Sequence, residues 1–226
     1  MAAANPYRRR IEGLDNVPAR GSFILVMNHH NRPGLRPYHC AMVVSAAVAE
    51  RRPDQPEIRW AFASELYGQR IGPIPIPVPL IRWVFRRIAR AYDLVVVPRR
   101  EERAMGRAAV LRHLARALAT SPIGLTPEAV GTGRLVEPPH GAGLFLASLS
   151  RRRFPILPVA AWEEGETLIV RFGEPVRLAV PREQPRDEQD RLAQEQVMVA
   201  IGRLLPREYW GAYEAAIERA AARPLT

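Results

Sequence analysis

The stretch Phe23-Ile24-Leu25-Val26-Met27-Asn28-His29-His30 decides the fold. Its consecutive apolar residues, some of them β-branched, read as a strand buried on both faces of an α/β sheet. Asn31-Arg32-Pro33-Gly34 follows and turns the chain. A titratable pair, His29 and His30, therefore stands at the carboxyl end of a buried strand. In open α/β sheets that edge is where ligands bind. A pair of solvated loop histidines accounts for the same letters if position alone is considered.

Working outward, residues 1–12 read as a flexible basic start containing Arg8-Arg9-Arg10. The turn-rich Gly13-Leu14-Asp15-Asn16-Val17-Pro18 leads into the strand. Tyr38 to Glu50 has helical composition and stops at Arg51-Arg52-Pro53. Ile58 to Phe62 alternates like a short strand ending at Ser64-Glu65. The prolines of 71–79 forbid a regular helix or a central strand. Leu80 to Tyr92 then reads as a helix, with Leu80, Val84 and Ile88 four apart and Arg82, Arg86, Arg87 and Arg90 mostly off that row. Leu94 to Val97 is a further strand, punctuated by Pro98-Arg99. Glu101 to Thr120 is a helix, and Ile123 to Thr126 a strand closing on Pro127-Glu128. Ala142 to Ser150 is a helix, and 154–161 and 167–172 are strands. Helices over 186–205 and 208–222 finish the chain, broken at Pro206. Strands alternating with helices predict one α/β domain with a central mixed sheet flanked by helices. The expected organisation is a flexible start (1–12), a main domain (13–180), and C-terminal helices (181–226) packed on that domain.

The 226 residues suffice for one sizeable core. The lone Cys40 excludes a disulfide framework within the chain. No apolar run is long enough to span a bilayer, and no apolar segment follows the N-terminal arginines as in a secretory leader. The expectation is a cytoplasmic protein, free or peripheral to the inner face of the membrane. The net charge is +10, and every basic residue is Arg. Such a surface favours nucleic acid, anionic lipid or phosphorylated substrates, and forked guanidinium groups suit phosphates. The apolar stretch 71–85 joined to an Arg-bearing helix suits a membrane surface. A loop packed on the core before an ordinary amphipathic helix fits the same pattern.

Several strand ends carry polar groups: His29, Glu65, Arg99 and Glu128. Converging on one sheet edge, they offer a base, carboxylates and a phosphate-binding cation. His113 reads as solvent-facing and His140 as a loop histidine. Gly131-Thr132-Gly133 is too short for a nucleotide-binding fingerprint, and no Gly-x-Ser-x-Gly elbow occurs. No metal site is expected, because the histidines lack Cys or carboxylate partners at ligand spacing. No nucleic-acid recognition motif is visible, so nucleic acid is not an expected partner.

With these residues in hand, the chain resembles the glycerolipid acyltransferase family, which contains the lysophosphatidate acyltransferases. Leu14 to Pro18 with Phe23 to His29 is similar to the family's opening block. Ala63-Ser64-Glu65-Leu66 and then Leu94 to Arg99 are similar to its second. Thr126-Pro127-Glu128, with Gly133-Arg134-Leu135 and Gly141-Ala142, resembles its third. Phe154 to Ala160 and Phe172-Gly173-Glu174-Pro175-Val176 resemble the closing strands. The resemblance covers roughly residues 13–178, in the family's order. Two departures stand out. The family places an Asp five positions after its motif His, but here those positions are Gly34 (from His29) and Leu35 (from His30). The third motif's Glu-Gly-Thr-Arg reads Glu128-Ala129-Val130-Gly131, leaving Arg134 as the nearest counterpart of the motif Arg.

The resemblance implies an α/β acyltransferase of phospholipid biosynthesis. It implies transfer of a fatty acyl group from acyl-CoA or acyl-carrier protein to a hydroxyl of a lysophospholipid or other lipid-like acceptor, at a membrane surface and without a cofactor. His29 would be the general base, with His30 (or His39) able to take part. Asn28, Arg32, Arg99, Glu128 and Arg134 would bind substrate, the arginines through its phosphate or headgroup. Without the Asp, a backbone carbonyl or another side chain is left to hold the imidazole. A degenerate family member that binds acyl lipid without transferring it is the alternative reading.

Overall fold

The computed structural model describes residues 8–63, 70–71, 74–75, 95–97, 107–129, 131–152 and 154–222. Its centre is a seven-stranded sheet. The strands are β1 (Arg8–Glu12), β2 (Ile24–Met27), β3 (Arg59–Ala63), β6 (Val95–Val97), β7 (Ile123–Leu125), β8 (Ile156–Glu164) and β9 (Thr167–Phe172). The short segments β4 (Arg70–Ile71) and β5 (Ile74–Pro75) pair separately, antiparallel. The sheet order is β1-β9-β8-β2-β7-β3-β6. Every pairing in it is parallel except the β8–β9 hairpin, so the sheet is mixed. This is the α/β architecture read from the alternation of strand and helix patterns.

β2 lies between β7 and β8, and all four of its residues are buried. Its continuous apolar run follows from having a core on each side. Ile24 and Val26 face one apolar cluster, while Leu25 and Met27 face another. The first cluster is filled by α2 (Arg107–Leu118), α3 (Ala142–Ser150), α4 (Arg186–Gly202) and α5 (Glu214–Ala221), through Leu114, Leu118, Leu146, Leu149, Val197, Ile201 and Ile217. The second is covered by α1 (Pro37–Arg51), through Cys40, Val44 and Val48. Pro37 opens α1 with the φ a first helical turn needs. Gly124 in β7 leaves the space taken by the Trp60 ring, whose Nε1 donates to Ser45 Oγ at 2.8 Å.

Two expectations change. Arg8–Glu12 is not a flexible start but an edge strand paired in parallel with β9. An edge strand tolerates a row of charges because one side faces water. The helix expected over 208–222 begins later. Two single 3₁₀ turns, Arg207–Tyr209 and Gly211–Tyr213, precede α5, and Gly211 opens the second at φ 51. The stretch 76–94 with Arg82, Arg86, Arg87 and Arg90, and residues Glu65 and Arg99, lie outside the described residues. Among the described residues no helix is long and apolar enough to cross a membrane, and no cluster of His, Cys, Asp and Glu is arranged to hold a metal ion.

Candidate functional site

The residues that follow β2 leave the sheet beside the carboxyl ends of its two parallel neighbours. Asn28 uses its amide on β8. Its Oδ1 accepts the Ala161 N–H and its Nδ2 donates to the Ala161 carbonyl, each at 2.8 Å. The side chain thereby extends the strand pairing by one rung. Asn28, expected to contact substrate, is thus 5% exposed with its amide engaged on β8, and it also lines the cleft beside the histidines.

His29 is held from β7. Its backbone N–H donates to Glu128 Oε1 at 2.6 Å, and Glu128 Oε2 accepts the Val136 N–H at 3.1 Å. Glu128 is only 2% exposed. Burial pushes its carboxyl up to about 7, although the two backbone donors pull the other way. Ala129, next in the chain, sits at φ 62, an uncommon conformation for a residue with a Cβ. Gly131 then lies against the histidine. A Cβ there would stand 2.5 Å from His29 Nδ1 and overlap the His29 carbonyl oxygen. Nδ1 of His29 is buried with no hydrogen-bond partner among the described residues, which leaves Nε2 as the open ring nitrogen. Burial lowers the pKa of the imidazole below its ordinary 6.5, with its own carbonyl opposing in part. The ring is therefore neutral at pH 7, the form that can take up a proton.

His30 has a different setting. Its Nε2 lies 3.2 Å from Glu163 Oε2, at the end of β8. Arg32 grips the same carboxylate with Nε and Nη2 in the forked geometry that guanidinium and carboxylate share. The Arg32 pairing, with His30 adding to it, keeps Glu163 below the usual carboxylate range against the cost of its burial. Tyr209 sets its ring at 63° to His30 with centroids 6.1 Å apart. Arg32 was expected to bind substrate, and the structure commits its fork to Glu163. The imidazole of His30 thus has a carboxylate partner, and that of His29 has none among the described residues.

The positions where an Asp would complete the family pattern have other duties. Arg32-Pro33-Gly34-Leu35 is a tight turn closed by Arg32–Leu35 backbone hydrogen bonds of 3.0 and 3.1 Å. Pro33 at its second position and Gly34 at φ 85 in its third suit a type II turn. Leu35 is fully buried beneath α1. His39 stands apart in the first turn of α1, where its Nδ1 accepts the Arg36 N–H at 3.0 Å.

His29, His30, Glu128 and Arg134 line one narrow cleft together with Asn28, Leu135, Leu205 and Tyr209. Arg134 is exposed, and its guanidinium makes no hydrogen bond or ion pair among the described residues. The C-terminal segment reaches this cleft through the Leu135 N–H, which donates to the Tyr209 carbonyl at 2.9 Å. Reading the sequence missed Glu163 and Tyr209. The rule that marked Glu128, a polar group at a strand's carboxyl end, would have found Glu163 had the strand been extended past Ala161. Tyr209 carries no comparable signal, since its place depends on how the last fifth of the chain folds back.

No protein-family model matches this chain, and no curated protein matches it. A solved structure resembles it: the 1-acyl-sn-glycerophosphate (LPA) acyltransferase PlsC from Thermotoga maritima. The TM-score is 0.46 and the identity 17%, over 97% of this chain and 75% of that one. A likeness at that level says nothing about substrate or mechanism.

Proposed function

We propose that this chain moves a fatty acyl group from an acyl thioester, acyl-CoA or acyl-carrier protein, to a hydroxyl of a lysophospholipid or other lipid-like acceptor. The observation that carries the reading is the gathering of a neutral, open histidine, a buried carboxylate and an uncommitted arginine at the carboxyl edge of parallel strands. The motif order across residues 13–178 supports it independently. In this mechanism His29 Nε2 takes the proton of the acceptor hydroxyl as its oxygen attacks the thioester carbonyl. The tetrahedral intermediate collapses, the C–S bond breaks, and the proton passes from the imidazolium to the leaving thiolate. Glu128 holds the His29 backbone, and Arg134 meets the acceptor's anionic headgroup. Residues 13–180 would form the acyltransferase-like unit, working at the membrane's inner face.

A second reading, retention of acyl lipid without transfer, is favoured by one observation: among the described residues His29 Nδ1 has no acid to orient it. Losing such an orienter in a serine protease lowers kcat about 10⁴-fold. One experiment separates the readings. Labelled acyl-CoA, and then acyl-carrier protein, is offered with pooled lysolipid acceptors on anionic vesicles to wild type, His29→Ala and His30→Ala. Transfer by wild type that is lost in His29→Ala supports the proposal. Loss only in His30→Ala moves the base to the His30–Glu163 pair. Lipid retained without turnover by all three proteins establishes the second reading.

A further inference from the structure

A second cavity lies at the opposite edge of the sheet. It is lined by Gly21, Ser22, Arg52, Gln55, Thr120 and Phe154, and its volume is about 290 Å³. Ser22 precedes β2 and His29 follows it, so at strand rise the two sites are about 20 Å apart. Arg52 sits where α1 ends and is only 4% exposed. Its Nη1 and Nη2 donate to the carbonyls of Pro18 and Gly21, at 3.1 and 2.9 Å. Its guanidinium stacks over Phe23 at 5.2 Å. Its Nε is buried with no acceptor, and no carboxylate among the described residues pairs with it.

A buried cation without a counter-charge is costly, and proteins usually pair such groups. Two carbonyls and an aromatic face answer only part of the charge. The carboxyl-terminal end of α1 adds a partial negative charge, roughly half a unit at most. Burial accordingly draws the guanidinium's pKa below its ordinary value. The cavity beside it is also lined by Ser22, by Thr120, whose hydroxyl donates to the Ala117 carbonyl at 3.1 Å, and by Gln55, whose amide donates to the Asp54 carbonyl at 3.2 Å, with Pro56, Leu118 and Phe154 as an apolar wall.

We propose that this cavity binds a small amphipathic oxyanion, a phosphate or carboxylate group on a short apolar chain, whose charge is the counter-charge Arg52 lacks among the described residues. The carboxyl-terminal ends of α1 and α2 lie at this cavity, and their partial negative charge disfavours an anion. The guanidinium must therefore supply the attraction, while the apolar wall takes the chain. The site is independent of the histidine cleft and of any acyl transfer there.

Calorimetric titration of the full chain at physiological salt tests this, with hexyl phosphate, hexanoate, inorganic phosphate and hexanol as probes. Saturable one-to-one binding of hexyl phosphate or hexanoate, with hexanol not binding, is the expected result. The stronger of the two names the headgroup, and inorganic phosphate reports how much the headgroup does alone. Arg52→Met should weaken that binding at least about tenfold. Thr120→Trp fills the cavity from an exposed position without touching Arg52 and should do the same, which keeps the test decisive should Arg52→Met not fold. No saturable binding to folded wild type at millimolar probe overturns the proposal, as does unchanged binding in folded Thr120→Trp or equal binding of hexanol.

Discussion

Gly131 has no room for a side chain, because His29 occupies the space a Cβ would fill. Gly131→Ala should displace the imidazole and lower acyl transfer about 10- to 100-fold. The accompanying loss of stability should be only about 1–3 kcal/mol, as for other overpacked sites. Turnover measured beside urea denaturation separates the two effects. Glu128 makes a prediction about pH. Its carboxyl titrates near 7 when folded, against 4.5 as the ordinary value. Between those values the folded chain holds a proton that the unfolded chain has released, so stability falls as pH rises through that window. The change is on the order of 3 kcal/mol. Glu128→Gln cannot titrate, so the stability of wild type relative to this variant should decline from pH 4.5 to 7 in chemical denaturation. A difference independent of pH would contradict the assignment. Glu128 and His29 were both visible as strand-end polar residues. Their hydrogen bond was not, because it joins groups 99 residues apart.

At the scale of elements, α3 is short and apolar, and its amino end is capped from α4. Asp190 is buried, and its carboxylate accepts the N–H of Gly141 at 2.6 Å and of Leu144 at 2.9 Å. Gln194 and His140 reach the same carboxylate. The negative charge also meets the positive end of the helix. Gly143 lets α4 come close, since a Cβ there would overlap the Asp190 carbonyl oxygen. Asp190→Ala should therefore cost about 2 kcal/mol, as loss of a cap does, in urea melts. Asp190→Asn should recover part of it, because its amide oxygen still accepts one bond. The apolar helix over 142–150 was legible from composition. Its cap was not, since a helix capped by a distant side chain leaves no local signature.

For the whole molecule, a net charge of +10 carried by arginine predicts binding to anionic vesicles that weakens as salt rises. Co-sedimentation at low and high salt measures it. Converting Arg82, Arg86, Arg87 and Arg90 to Glu should reduce that binding, and unchanged binding would remove this stretch as the docking face. The sequence by itself determined the α/β class, the buried central strand and the strand-end histidines. Those features follow from hydrophobic periodicity and turn residues within short windows. It also showed that no acid stands at Gly34 or Leu35. Tertiary structure alone decided what surrounds the histidines: Glu163 on His30, Gly131 against His29, and Tyr209 over the cleft. It also made a strand of the arginine-rich start and left Arg52 buried with no counter-charge among the described residues. Each of these depends on sheet order and on which distant segments pack together, and pairing across the sheet is set by the sum of many weak contacts rather than by any local run of residues.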